Sequence, residues 1–253
     1  MLNYDHFYHN CTRNIITVFG ALFTEIYVKR STGDKHEYQE VKVPIAYSPK
    51  QRTLNMIMQK PNKDDREAQV TLPRMGFEIV ALNYDPDRKI NPSSMTKVSV
   101  NNSSYVNIMR SATPYNFHIN LYIYTKNQDD ALQIVEQIFP FFNPDMNVTI
   151  NPVPSMGVSE DVPIILDSVS YEDDYEGDID TRRAIVWTLS FTVKMNFYGP
   201  ITKSGVIKKV NVNMGNDSTT PATHQLDYSA KVNPLTAGKN DVHTIVEEFL
   251  YGG

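Results

Sequence analysis

The residues of this 253-residue chain whose types could do chemistry fall into a few short stretches. His6-x-x-His9, followed by Cys11, invites a thiol–imidazole pair or a metal site. A closed zinc site needs four ligands, and no further ligands stand nearby in sequence, so these residues read as scattered histidines beside an inert cysteine. Cys11 is the single cysteine, which excludes an intramolecular disulfide. The stretch YEDDYEGDID, residues 171–180, is acidic enough to attract a cation. It lacks the D-x-[DN]-x-[DN]-G order and the distal glutamate of a calcium loop, and reads as a solvated hairpin tip. STGDK, residues 31–35, lies between strands rather than before a helix, which is not how a phosphate loop is built. His118 falls on the polar face of a strand and reads as a hydrogen-bonded surface residue. The sequence therefore predicts no catalytic group, no cofactor and no metal.

Composition narrows the classes. The net charge of −5 argues against a nucleic-acid binder that works by neutralising phosphates. No apolar run reaches the about 18 residues of a spanning helix, so no membrane segment is expected. The N-terminal MLNYDHFYHNCTRN is polar where a signal peptide needs its apolar stretch, which predicts a cytosol-like compartment. The 15 tyrosines suit half-exposed strand faces and interfaces equally.

Elements must place those residues. Ile15, Ile16, Phe19, Leu22 and Phe23 recur at helical spacing, predicting a helix from Cys11 to Phe23 capped by Asn10 or Thr12. Gly20 weakens it by about 1 kcal/mol against alanine. Glu25 to Tyr47 reads as a hairpin, with STGD as the turn and Val41, Val43 and Ile45 in the second strand. Pro44 makes that strand an edge or a bulged strand. Ser48 and Pro49 open a second helix bearing Leu54, Ile57 and Met58. A strand follows with Phe77, Ile79 and Ala81 alternating against Glu78, Val80 and Leu82; both sets are largely apolar, which predicts cover on both faces. Pro86 to Thr113 reads as a polar excursion with one weak strand, TKVSV. Tyr115, Phe117, Ile119, Leu121 and Ile123 form one face of the next strand.

A helix then begins at Asn127 or Asp129, with Asp130 in its first turn, where the dipole favours a carboxylate. Ala131, Ile134, Val135 and Ile138 face the core, while Gln133, Glu136 and Gln137 face water. Pro140 is expected to push Phe139 out of helical geometry. A long hairpin follows, its second strand alternating Ile185, Trp187, Leu189, Phe191, Val193, Met195 and Phe197. GVIKKVNVNM reads as one more strand, residues 215–240 as loop and DVHTIVEEFL as a closing helix. The fold class is α+β: a mostly antiparallel sheet with long hairpins and helices packed on one face. Residues 1–200 form one domain, and 201–253 are a C-terminal strand and extended tail of the same unit.

Two classes of function fit: a small enzyme whose site is assembled from scattered residues, or a structural assembly protein that works through surfaces. The long strands, polar excursions, edge proline and missing chemistry favour the second. Phe141 and Phe142, between Pro140 and Pro144, are then either core or an edge made for another chain.

Specific segments carry a resemblance. They are GALFTEIYVKR with VPIAYSPK, LPRMGFEIV, INLYIYTKNQDDALQIVEQIFPFFNP and RRAIVWTLSFTV, in that order, spanning roughly residues 15 to 197. In these the chain resembles the tail sheath stabilisers, or tail completion (terminator) proteins, of T-even-type contractile-tailed phages. The region after Pro200 does not visibly match. The resemblance implies a tail-terminator-like architecture and a virion protein assembled in the host cytoplasm. It implies a hexameric ring at the head-proximal end of the tail that caps the sheath and offers a docking surface to the neck. Its partners would be sheath protein, tail tube terminator and neck proteins, with DNA passing through the lumen without specific binding. A tube terminator or neck connector is the alternative within this class, and an unrecognised small enzyme the alternative outside it. Read this way, Phe141 and Phe142 are candidate interface anchors. The acidic tip with Tyr171, Asp173, Asp174 and Tyr175 is a candidate partner for basic residues such as Arg182 and Arg183 on a neighbouring copy. The strand from Val41 to Ala46 is a candidate edge for strand addition.

Overall fold

The computed structural model describes residues 6–31, 38–58, 71–99, 105–143, 145–174, 184–205, 207–215, 224–234, 242 and 244–251. Tyr175, Arg182, Arg183 and most of STGDK lie outside them.

A six-stranded sheet organises the body, in the order β3-β4-β7-β10-β9-β8. Its strands are β3 (Ile45–Tyr47), β4 (Arg74–Tyr84), β7 (Thr113–Thr125), β8 (Asp145–Val153), β9 (Val158–Asp174) and β10 (Ala184–Phe197). β3 runs parallel to β4; the other neighbours are antiparallel. The α+β class is as expected. On one face lie α1 (Cys11–Leu22) and α3 (Gln128–Ile138). Ile15 and Phe19 of α1 and Ile134 and Ile138 of α3 meet Phe117, Ile119, Leu121 and Phe191 in the main core. Phe19 packs edge-on to Phe191 at 5.3 Å and to Phe23 at 5.1 Å.

The helices are not all on one face. Ile57 of α2 (Lys50–Met58) packs with Tyr122, Tyr124 and Val186 on the opposite side. The second, more polar face of β7 is therefore partly a core face. Burial there pushes the Tyr122 hydroxyl up to about 12, and that hydroxyl donates to Glu78 at 2.8 Å.

Pro44 divides the expected second strand of the first hairpin. β1 (Tyr27–Ser31) and β2 (Tyr38–Lys42) form a separate two-stranded sheet. Val43 N–H still reaches Ile26 O at 2.9 Å, but Pro44 O accepts from Met75 N–H at 2.8 Å, and Ile45 onward joins the large sheet as its edge. The proline, which has no N–H to donate, sits where the chain changes sheets.

β4 carries a bulge at Val80, where the register to β7 shifts. Phe77 and Ile79 stand opposite Leu121 and Ile119, and beyond the bulge Leu82 and Tyr84 stand opposite Phe117 and Tyr115. The expected set of Phe77, Ile79 and Ala81 is thus broken. One extra residue moves Leu82 onto the core side and Ala81 off it. The strand is well covered only at its start, since Val80, Leu82 and Tyr84 are exposed.

Two further sheets differ from expectation. The polar excursion supplies the expected weak strand as β5 (Met95–Ser99) and, beyond expectation, β6 (Tyr105–Arg110), with which β11 (Thr202–Gly205) pairs. The C-terminal residues form β12 (Lys209–Gly215), β13 (His224–Asn233) and β14 (Thr244–Tyr251) in one antiparallel sheet. Part of the expected loop is therefore β13, and the expected closing helix is β14. Ile245, Val246, Phe249 and Leu250 suit a helical stripe, but pairing with β13 decides the conformation.

Candidate interaction site

α3 and the segment after it build the most distinctive surface. Its N-cap is Asn127, in extended geometry, and Asp129 and Asp130 occupy the first turn. Asp130 is buried and accepts from the Arg30 guanidinium at 2.5 Å, so β1 anchors the helix start. Gln133 and Gln137, expected in water, instead grip β1. Gln133 Oε1 accepts from Lys29 N–H at 2.9 Å, and Gln137 Nε2 donates to Tyr27 O at 2.8 Å. Spaced i,i+4 on the helix, they meet backbone groups two residues apart on the strand.

The helix gives way at Ile138 to a single 3₁₀ turn, Phe139–Phe141. Contrary to expectation, Phe139 keeps right-handed helical angles of φ −55° and ψ −41° before Pro140. The preference against that geometry is outweighed by the tight turn, which Phe142 N–H closes onto Phe139 O at 3.1 Å. This turn separates the two aromatics. Phe142 folds back to Phe191 at 5.1 Å and Phe23 at 6.2 Å, joining the core. Phe141 points away and is 68% exposed.

Between them opens a groove of about 550 Å³ whose apolar wall includes Leu22, Phe23, Ile138, Phe141 and Met146. Glu25 and Glu136 also line it. Met146 belongs to β8, the outermost strand of the large sheet. The groove thus combines an apolar socket, a carboxylate lining and a strand edge. It suits an apolar segment of another chain better than a small polar substrate.

Other residues singled out by sequence have structural partners. His9 Nε2 bonds Gly199 O at 2.9 Å, and burial pushes the Cys11 thiol up, which disfavours the thiolate. His118 Nδ1 meets Thr192 Oγ1 at 3.1 Å, and that hydroxyl also donates to Asp167. Among the described residues no group of three His, Cys, Asp or Glu side chains is placed to hold a metal ion.

A family model described as the T4-like virus Myoviridae tail sheath stabiliser matches residues 6–251. The chain belongs to that family. A tail sheath stabiliser is a structural component of the phage tail, in keeping with a site built of surfaces. The chain is also 31% identical over 213 residues to the tail completion protein gp15 of Enterobacteria phage T4, covering 78% of this chain and 74% of that protein. The family match runs past Pro200, so the expectation that the resemblance stops there is corrected: β11 to β14 lie within the residues that the family model matches.

In this tail sheath stabiliser the candidate contacts lie apart. Tyr171, 45% exposed, tilts against Trp187 at 5.1 Å across β9 and β10. Asp173 and Asp174 continue β9, opposite Ile185 and Ala184. The groove meets β9 through Met146, opposite Ile164, which puts Phe141 roughly 20 Å along the strand from Tyr171. Sequence reasoning missed a half-buried polar cluster at the other end of the sheet. Glu160 accepts from Asn196 at 2.5 Å and from the Tyr198 hydroxyl at 2.9 Å. Its sequence trace is an acidic pair, Glu160 and Asp161, near the start of a strand whose first residues gave no clear alternation.

Proposed function

We propose that this tail sheath stabiliser forms a ring of six copies at the head-proximal end of a contractile tail, where it caps the sheath and offers a docking surface to the neck. Its partners in this reading are sheath protein, the tail tube terminator and neck proteins. The observation that carries the reading is the Phe141 groove. The fold spends Phe142 on the core and leaves Phe141, with an apolar socket beside it, to a partner. A large aromatic in a desolvated socket is the usual anchor of a protein contact. A ring of identical copies also needs two different complementary patches on each copy. The acidic tip around Tyr171, Asp173, Asp174 and Tyr175, set apart from the Phe141 groove, is in this reading a second patch that pairs with Arg182 and Arg183 of a neighbour. The net charge of −5 suits a lumen through which DNA slides without being held.

Light scattering of the purified full chain, alone and with sheath protein, tests this. A six-copy species, or a ring appearing only on sheath ends, is expected. A strict monomer indifferent to sheath would overturn it.

A further inference from the structure

The sheet of β12, β13 and β14 has an apolar face that no described part of the chain covers. Val210 and Val212 stand opposite Ala230 and Tyr228, and Tyr228 and Val232 stand opposite Phe249 and Ile245, so all share one side. Val210, Val212, Met214, Ile245 and Phe249 are 45%, 40%, 48%, 65% and 56% exposed. The reverse side carries Lys209, Asn211, Ser229, Lys231 and Glu248, with Val246 and Leu250 as exceptions. Three strands of this length present roughly 330 Å² of sheet. That is the size of patch soluble proteins keep for an interaction, and it suits the centre of a standard interface.

We propose that this face docks on a second copy of the chain, over the groove lined by Tyr84, Lys89, Ile90, Pro92 and Arg110. The proposal rests on the self-assembly put forward above and names one of its contacts. Charge selects the groove. Glu247 lies on the apolar face opposite Ala230, and Tyr228 hydrogen-bonds it. The Phe141 groove is lined by Glu25 and Glu136 and would repel that carboxylate. The second groove, about 340 Å³, has Lys89 and Arg110 beside the exposed rings and chains of Tyr84 and Ile90. Chain geometry selects a neighbour over the same copy. β11 ends at Gly205 opposite Tyr105, and β12 begins at Lys209. The groove lies at Arg110, the far end of β6, roughly 17 Å away. Within one copy neither surface covers the other, since Phe249 and Ile90 are 56% and 50% exposed.

The test mixes full-length Val212→Cys with differently tagged Ile90→Cys under mild oxidation, with wild-type assembly read in parallel by light scattering. The expected product is a disulfide between the two tagged chains. Lys89→Glu with Arg110→Glu on the second chain should lower its yield at least about tenfold, and Glu247→Lys on the first should restore it. Rings that give only Val212→Cys homodimers, or no link at all, overturn this contact and leave the ring standing. A wild-type chain that never assembles overturns the ring instead. Charge reversals that leave the yield unchanged overturn the electrostatic match.

Discussion

Gln133 on α3 completes both backbone hydrogen-bonding groups of Lys29 on β1. It accepts from the amide at 2.9 Å and donates to the carbonyl at 3.1 Å. Gln137 repeats the arrangement at Tyr27, with bonds of 3.4 and 2.8 Å. Two side chains thus stand in for a neighbouring strand along the outer edge of β1, which would otherwise invite pairing with another chain.

Substituting both glutamines by alanine should destabilise the chain by about 2 kcal/mol, about 1 per residue. Hydrogen exchange provides the check. The amides of Tyr27 and Lys29 should lose protection while those of β7 keep theirs. Unchanged protection at Lys29 would show that the contact does not hold the hairpin.

Asp130 and Arg30 form an unequal pair, since the Asp130 side chain is 3% exposed and that of Arg30 is 40% exposed. Arg30→Ala leaves a buried carboxylate without its cation and should cost about 2 kcal/mol, less than a fully buried pair because of the exposed guanidinium. Adding Asp130→Ala should recover a good part of that loss. Urea titrations of the single and double variants measure the coupling.

Phe141 and Phe142 should separate stability from assembly. Phe142→Ala removes a ring packed on Phe23 and Phe191 and should cost about 3 kcal/mol. Phe141→Ser should leave the melting temperature within a degree or two of wild type, as surface changes do, and abolish binding to sheath or to further copies. A Phe141→Ser chain that still assembles would remove the anchor from the proposed contact.

Glu160 should tax the fold at neutral pH. Burial raises its carboxyl above the ordinary glutamate value, despite the bonds from Tyr198 and Asn196. The folded chain therefore holds this proton more tightly than the unfolded chain does. The cost is fully present above the raised value and fades as pH falls through it to the ordinary one. Glu160→Gln keeps a hydrogen-bonding group of the same shape and should be more stable than wild type at pH about 7, with the gap closing towards pH about 4.5. Paired thermal melts across that range should show the convergence; parallel curves would contradict it.

How far the sequence could be read depended on the reach of each signal. The two-residue rhythm from Tyr115 to Ile123 and the helical stripe of Ala131, Ile134, Val135 and Ile138 are local, and both stand in the fold as read. Gln133 looked like a water-facing residue because its partner is Lys29, far back in the chain. The strand from Tyr105 went unread for a similar reason. TKSG at β11 has no strand pattern of its own and pairs with β6 from nearly a hundred residues away. At the candidate site, the question of Phe141 and Phe142 could be posed from sequence. Its answer depended on the 3₁₀ turn, and the expectation for a residue before proline pointed the other way.

The bulge at Val80 has a bearing on how this strand tolerates insertion and deletion. Because Val80 is the unmatched residue between Ile79 and Ala81, losing it would leave every other pairing of β4 with β7 intact. Losing one residue near either end would instead turn the residues between that point and the bulge, or those beyond it, to the opposite face. Shortening by one residue should therefore be tolerated at position 80 and resisted towards the ends of the strand. A relative one residue shorter in this strand would keep the same inward-facing side chains while its printed alternation ran unbroken.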